Sequence, residues 1–308
     1  MNAPASSAPL LTIGITCYAE GDWLLDCWNS LLAQTDPRWC AVLVMDGTEH
    51  ARTREIFAAL NHPRLVKHAM PTNMGPYPTR NKAFELTETP FHFYLDGDDQ
   101  LVPSSVALVL DTFTRHPDAS FVYGDNERFG AYSLVHKHRR EVTWDDFITG
   151  QPTPGPCAYR KDLWIELGGF ADELARGNGD YDFLIGAAEA GRRGYHCGEI
   201  LYRYRVGNTT KVSKSYDRRY HETHEIMVKR HPRFFADPAR RDRFLALAYL
   251  RSAEANLAVD PRRAREFARK AIDLGLRFDT RPWKTLAKAG LAELSRARSS
   301  RRGGAPPR

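Results

Sequence analysis

Residues 91–99 read FHFYLDGDD, an aromatic run from Phe91 to Leu95 followed at once by Asp96-Gly97-Asp98-Asp99. Five residues are too few for a helix, and aromatic side chains favour the pleated surface of a sheet, so Phe91–Leu95 reads as a buried strand. Three carboxylates within four residues then leave its carboxyl end. Such groups repel one another unless something positive lies between them.

The same grammar repeats on both sides of this stretch. Upstream, Leu10–Thr16 (LLTIGIT), Ala41–Met45 (AVLVM) and Leu65–His68 read as strands. Between them lie helical spacings: one opened by Asp22 through Leu24, Cys27 and Leu31, one at Ile56–Leu60, and one over about Thr79–Glu88. Downstream come a helix at Ser104–Arg115, a strand at Ser120–Gly124 and a strand near Ile200–Val206. This alternation predicts an α/β fold with a mostly parallel central sheet and helices on both faces. Ligands of such sheets sit at the carboxyl ends of the strands. Three strands deliver polar residues there: Thr16-Cys17-Tyr18, Asp46-Gly47-Thr48 and Asp96-Gly97-Asp98-Asp99. From about residue 216 onward the pattern is helical, and Asp260-Pro261 supplies an N-cap with proline at the first helical position.

Composition narrows the class. The 308 residues are 42% hydrophobic and 27% charged, which excludes collagen-like, disordered and disulfide-scaffold chains. Five scattered cysteines without a C-x-x-C pair fit a reducing compartment. No run approaches the ~18–20 apolar residues of a membrane span, and the N-terminus lacks the basic flank of a signal peptide. The expected location is cytoplasmic. Charge is uneven: residues 1–216 carry 21 Lys+Arg and 27 Asp+Glu (21 − 27 = −6), and residues 217–308 carry 23 and 11 (23 − 11 = +12).

The carboxylates of residues 96–99 suit a hard divalent cation, Mg²⁺ or Mn²⁺, with positions left open for a diphosphate. A helix-capping acidic turn is the alternative. Asp46-Gly47-Thr48 lacks the aspartate two residues earlier that a D-x-D-G-T phosphatase needs, because Val44 stands there. Neither G-x-G-x-x-G nor G-x-x-x-x-G-K-[ST] occurs, so dinucleotide and P-loop sites lack their phosphate loops.

Taken in order, these motifs resemble the GT-A-fold glycosyltransferases of family 2 over about residues 10–215. Thr16-Cys17-Tyr18 is similar to the first-strand T-x-Y segment, and Val44-Met45-Asp46-Gly47-Thr48 to V-D-D-G-S. Asn73-Met74-Gly75 with Arg80-Asn81-Lys82-Ala83 resembles N-x-G-x-x-x-A-R-N-x-A, and Leu95–Asp99 resembles L-D-x-D-D with its D-x-D metal motif. Gly168–Glu173 is similar to G-G-F-D-E with one alanine inserted, and Gly179-Asp180-Tyr181-Asp182 stands where the family has E-D-x-D. The resemblance implies a donor site of Thr16, Tyr18, Asp46, Arg80, Asp96 and Gly97. Tyr18 and Asp46 would meet the base, Asp96 the ribose, and Arg80 would offset phosphate charge. Asp98 would be the metal ligand and Asp180 the general base on the acceptor hydroxyl. It further implies Mn²⁺ or Mg²⁺, a UDP-, GDP- or dTDP-linked sugar, and inversion in a single displacement. The acceptor would be a cell-envelope glycan, a glycolipid or a small molecule such as a secondary metabolite.

The chain departs from the pattern at Ala19, Met45 and Gly179, and Tyr204–Thr210 holds no histidine for the metal side, leaving His221 or His224 as substitutes. No Q-x-x-R-W follows, which points away from processive synthesis. The domain expectation is a catalytic domain over 1–215 (nucleotide-sugar half 10–125, acceptor half 126–215), a helical extension over 216–295 and a disordered basic tail over 296–308. The basic segment suggests a solvated helical cap or peripheral contact with an anionic membrane. Nucleic acid is disfavoured, since no aromatic-interleaved platform accompanies the charge. Two rival functions remain. A sugar nucleotidyltransferase would need a Gly-rich basic loop where CYAEGDWLL stands, and a non-catalytic sugar-binding scaffold would be expected to have lost Asp46, Asp98 or Asp180.

Overall fold

The structure is a computed structural model that describes residues 8–175, 177–207 and 217–302, with side chains through 294. It divides into two compact units, Met1–Thr210 and Lys211–Arg308. In the first unit β1 (Leu11–Cys17), α1 (Trp23–Leu32), β2 (Trp39–Met45), α2 (Ala51–Ala59), β3 (Leu65–Ala69), α3 (Pro76–Glu85) and β4 (Phe91–Asp96) alternate along the chain. Their strands lie in the order β3-β2-β1-β4, all parallel. Every residue of β1 is buried, which is why LLTIGIT shows no polar alternation: helices cover both faces of this sheet. Ile13, Ile15, Leu43, Phe93 and Leu95 lie in one core cluster with Leu24, Cys27 and Leu31 of α1.

The chain continues through β5 (Gln100–Leu101), α4 (Ser105–Arg115), β6 (Ala119–Gly130), β7 (Leu134–His136) and the short α5 (Asp146–Thr149). It closes with β8 (Ala158–Arg160), α6 (Lys161–Leu167), α7 (Gly179–Glu189) and β9 (Arg193–Val206). The sheet extends as β4-β8-β6-β9-β5, with β8 antiparallel to β4 and β6, and β7 folded back on β6.

Three differences from the sequence reading bear on the site. The strand expected at Ser120–Gly124 runs on to Gly130, and β9 begins at Arg193 rather than near Ile200. The charged stretch Asp125–Arg128 hides this extension, because its polar residues pair across the ribbon: Arg203 donates to Glu127 at 3.0 Å, and the Arg205 guanidinium lies 4.4 Å from the Phe129 ring centre. The helix expected from Thr79 begins at Pro76, since Gly75, at φ 96°, turns the chain and proline tolerates the first helical position.

The second unit holds α8 (Tyr220–Arg230), α9 (Pro238–Asn256), α10 (Pro261–Asp273) and α11 (Thr280–Arg302). Asp237 and Asp260 cap α9 and α10 by accepting from Ala239 N and Arg263 N, each with a following proline. The last helix passes residue 296, where composition places the start of a disordered tail; residues 303–308 lie outside the described residues. His221 and His224 are packed inside this unit, against Phe267 and Phe244 respectively. Burial holds His224 neutral, with its pKa pushed down to about 3. Among the described residues no helix is long and apolar enough to cross a membrane, and all five cysteines are free.

Candidate active site

Sheet register assembles the first group. Thr16, at the end of β1, sits beside Val44 of β2 and Asp96 of β4. Its hydroxyl donates to Asp96 at 3.3 Å, and Arg80 Nη2 of α3 donates to the same Asp96 oxygen at 2.6 Å. Arg80 is only 7% exposed. Its guanidinium lies 4.3 Å from the Tyr94 ring centre and 4.9 Å from that of Tyr77. Burial works against this charge, but Asp96 and the two aromatic rings retain it. Tyr18, 44% exposed, offers an uncovered ring at the same edge.

Asp46 is buried at the end of β2, where its two oxygens accept from Met74 N at 2.7 Å and Gly75 N at 3.0 Å. It thus fixes the loop that launches α3, and with it Tyr77 and Arg80. Each oxygen keeps a lone pair for a further donor. Gly47 makes the approach possible: its φ is +54°, and a Cβ there would stand 2.1 Å from the Thr72 carbonyl carbon.

In the turn after β4, Asp98 is buried at 7% exposure, and Asp99 accepts from Arg205 N at 2.8 Å. A fourth carboxylate joins them. Glu20 accepts from Tyr18 N at 2.5 Å, and its Cγ stands 3.4 Å from where a Cβ on Gly97 would lie. Burial, joined by the charges of Asp98 and Asp96, pushes the Glu20 carboxyl up to about 7. Among the described residues no three His, Cys, Asp or Glu side chains form a ready metal cage. A hard cation held by one or two carboxylates and completed by substrate phosphates needs no such cage. The charges of Asp98 and Asp96, which add to burial in raising Glu20, fit that mode of binding.

Asp180 is the second residue of α7, which Gly179 opens directly after Asn178, whose φ of 60° makes it the one described non-glycine residue with positive φ. Tyr77 OH donates to Asp180 Oδ1 at 2.6 Å and Gln151 Nε2 donates to Oδ2 at 3.2 Å. Burial, then the Asp180 charge, raises the Tyr77 phenol well above its ordinary pKa, so it stays a donor. Glycine at 179, where the family pattern has Glu, is explained by Tyr77: a Cβ there would stand 2.6 Å from its ring. Gly179→Ala is therefore expected to displace Tyr77 from Asp180, at a stability cost of about 1–3 kcal/mol. A thermal melt and a turnover assay would both register it; an unchanged melting temperature and turnover would contradict the contact.

Asp96, Arg80 and Asp180 line one cavity of about 340 Å³, within the ~300–1,000 Å³ range of small-molecule sites. Asn126 and Arg128 of β6, His136 of β7 and the following His138 also line it. Three buried polar atoms of residues lining this cavity have no hydrogen-bond partner among the described residues: Arg80 Nε, Tyr94 OH and Asn126 Oδ1. A polyhydroxylated ligand carries both the donors and the acceptors that would satisfy them. Tyr77, Gln151, Glu20 and the β6–β7 group escaped the sequence reading. Tyr181 is 1% exposed and bonded through its hydroxyl to Phe147 O, a packing role.

Residues 12–197 match the family described as Glycosyl transferase family 2. The chain belongs to this family. Its fold is that of GT-A glycosyltransferases. It resembles S. aureus TarS (residues 1–349) in complex with UDP-GlcNAc, at TM-score 0.68 and 17% identity, covering 94% of this chain and 92% of that one. It also resembles the mannosyltransferase PcManGT from Pyrobaculum calidifontis in complex with GDP-Man and Mn²⁺, at TM-score 0.59 and 16% identity, covering 94% and 87%. A Staphylococcus epidermidis teichoic acid poly(glycerol phosphate) polymerase is 28% identical over 107 residues, 34% of this chain and 15% of the polymerase. The chain spans under a quarter of the length of the curated relatives it matches.

Proposed function

We propose that this family 2 glycosyltransferase moves a single sugar from a nucleoside-diphosphate sugar to an acceptor hydroxyl, with a divalent cation and with inversion at the anomeric carbon. The observation that carries this reading is the shared cavity of Arg80–Asp96 and Asp180, with Asp180 held by Tyr77 and Gln151. Residues 10–125 would hold the donor and 126–215 the acceptor, with the segment from 216 a helical extension whose +12 charge suits an anionic membrane surface.

Asp180 takes the proton from the acceptor hydroxyl as the oxygen attacks the anomeric carbon. Tyr77 and Gln151 fix the carboxylate so that its free lone pairs face the cavity. Thr16 and Arg80 hold Asp96 for the ribose hydroxyls, and Tyr18 stacks on the base. Asp46 positions the 73–75 loop and keeps lone pairs for a base N–H. Asp98, with Glu20 beside it, would hold Mn²⁺ or Mg²⁺, which when bound neutralises charge on the departing diphosphate. The bound UDP-GlcNAc of TarS and the GDP-Man and Mn²⁺ of PcManGT support a nucleotide-sugar donor.

The test is nucleotide release from UDP-GlcNAc, UDP-glucose, GDP-mannose and dTDP-glucose, each with Mn²⁺ or EDTA. Slow hydrolysis of one donor class with Mn²⁺ only is expected. Release from none of them would count against the donor assignment.

A further inference from the structure

The β6–β7 hairpin brings a cation to the far wall of the cavity. Arg80 is already paired with Asp96 and Arg203 with Glu127, but the bonds of Arg128 go to neutral groups. Its Nη2 donates to His136 Nδ1 at 2.8 Å and its Nη1 to Tyr132 OH at 3.3 Å. A guanidinium only donates, so His136 accepts at Nδ1 and carries its proton on Nε2. The stacked ring of His138, 4.6 Å away, takes Asn126 Nδ2 at 2.9 Å. Burial lowers the pKa of both imidazoles, that of His138 to about 4, so the positive charge of this wall is that of Arg128. In the sheet β8 lies between β4 and β6, so the β6 backbone runs roughly two strand spacings or 10 Å from the strand that ends in Asp96. Register carries Arg128 farther along β6 than the position level with Asp96, on the opposite side of the cavity lining from β4.

We propose that Arg128 and the His136 Nε2–H form an acceptor subsite for an anionic group, a phosphate or a carboxylate, carried close to the hydroxyl that receives the sugar. The inference rests on the glycosyl-transfer reading and adds the acceptor class. A planar fork of donors beside an imidazole N–H suits a tetrahedral or planar oxyanion better than a neutral polyol. Asn126 Oδ1, buried without a partner in the same cavity, suits a neighbouring hydroxyl of the acceptor.

The experiment uses the full chain saturated with UDP and Mg²⁺, which is diamagnetic, and follows the imidazole C–H resonances of His136 by NMR. Glycerol 3-phosphate, glucuronate and glycerol are titrated in turn. One of the two anions is expected to shift His136 saturably, glycerol is not, and which anion binds separates phosphate from carboxylate acceptors. Arg128→Ala is expected to weaken that anion about tenfold or more, and Arg128→Lys to restore part of the loss. UDP affinity, measured in the same samples, separates the two readings. If UDP binds but neither anion moves His136, or Arg128→Ala leaves anion affinity unchanged, the subsite is wrong and the donor reading stands. If Arg128→Ala instead weakens UDP, Arg128 belongs to the donor site and the proposal falls. If no nucleotide binds the wild-type protein, the glycosyl-transfer reading fails first.

Discussion

Asp180→Asn is expected to lower the turnover of sugar transfer by roughly 10²–10⁴-fold while leaving the KM for the donor within a few-fold. Asparagine keeps the size of the side chain and can still accept from Tyr77, so Tyr77 and Gly179 stay packed as they are. What disappears is the basic oxygen. A rate measured at saturating donor isolates that loss, and a melting curve verifies that α7 has not moved. Tyr77→Phe should give a smaller fall, because it frees Asp180 Oδ1 without neutralising it. If Asp180→Asn turned over within threefold of wild type, the proton would have to leave by another route.

Asp46→Ala is expected to cost about 2–4 kcal/mol of stability, because the amides of Met74 and Gly75 lose their acceptor and the latter is buried. The loss would not stay local. Gly75 immediately precedes α3, which carries Tyr77 toward Asp180 and Arg80 toward Asp96. Nucleotide affinity and turnover should therefore fall together in this variant, whereas Asp180→Asn separates them. Chemical denaturation gives the stability term, and calorimetry with the preferred nucleotide gives the binding term. Wild-type stability with wild-type nucleotide affinity would remove Asp46 from both roles.

The donor half was legible because its physics is local. A buried parallel strand shows as an unbroken apolar run, and the polar residues that end such runs share one edge of the sheet, so Thr16, Asp46 and Asp96 could be placed together from LLTIGIT, AVLVM and FHFYL. The acceptor half was not legible in the same way. Asn126 and Arg128 stand on a ribbon with charged residues on both faces, and without an apolar stripe it reads as loop. Tyr77 and Gln151 meet Asp180 across 103 and 29 residues of chain, a convergence that no periodicity encodes. Glu20 lies outside the aspartate cluster in sequence and joins it only in space, packing beside Gly97. Gly179 shows the two levels meeting: a departure from the family's E-D in sequence, and in the structure the space into which Tyr77 fits.

The central claim is that the carboxyl edge of β1, β2 and β4 binds a nucleoside diphosphate with a cation at Asp98. Calorimetric titration of UDP, GDP and dTDP, each with and without Mn²⁺, against wild type and Asp98→Ala tests it most directly. The expected result is that one nucleotide binds wild type with Mn²⁺ and binds about tenfold or more weakly when either the metal or Asp98 is removed. Failure of all three nucleotides to bind wild type with Mn²⁺, or equal affinity in Asp98→Ala, would contradict it.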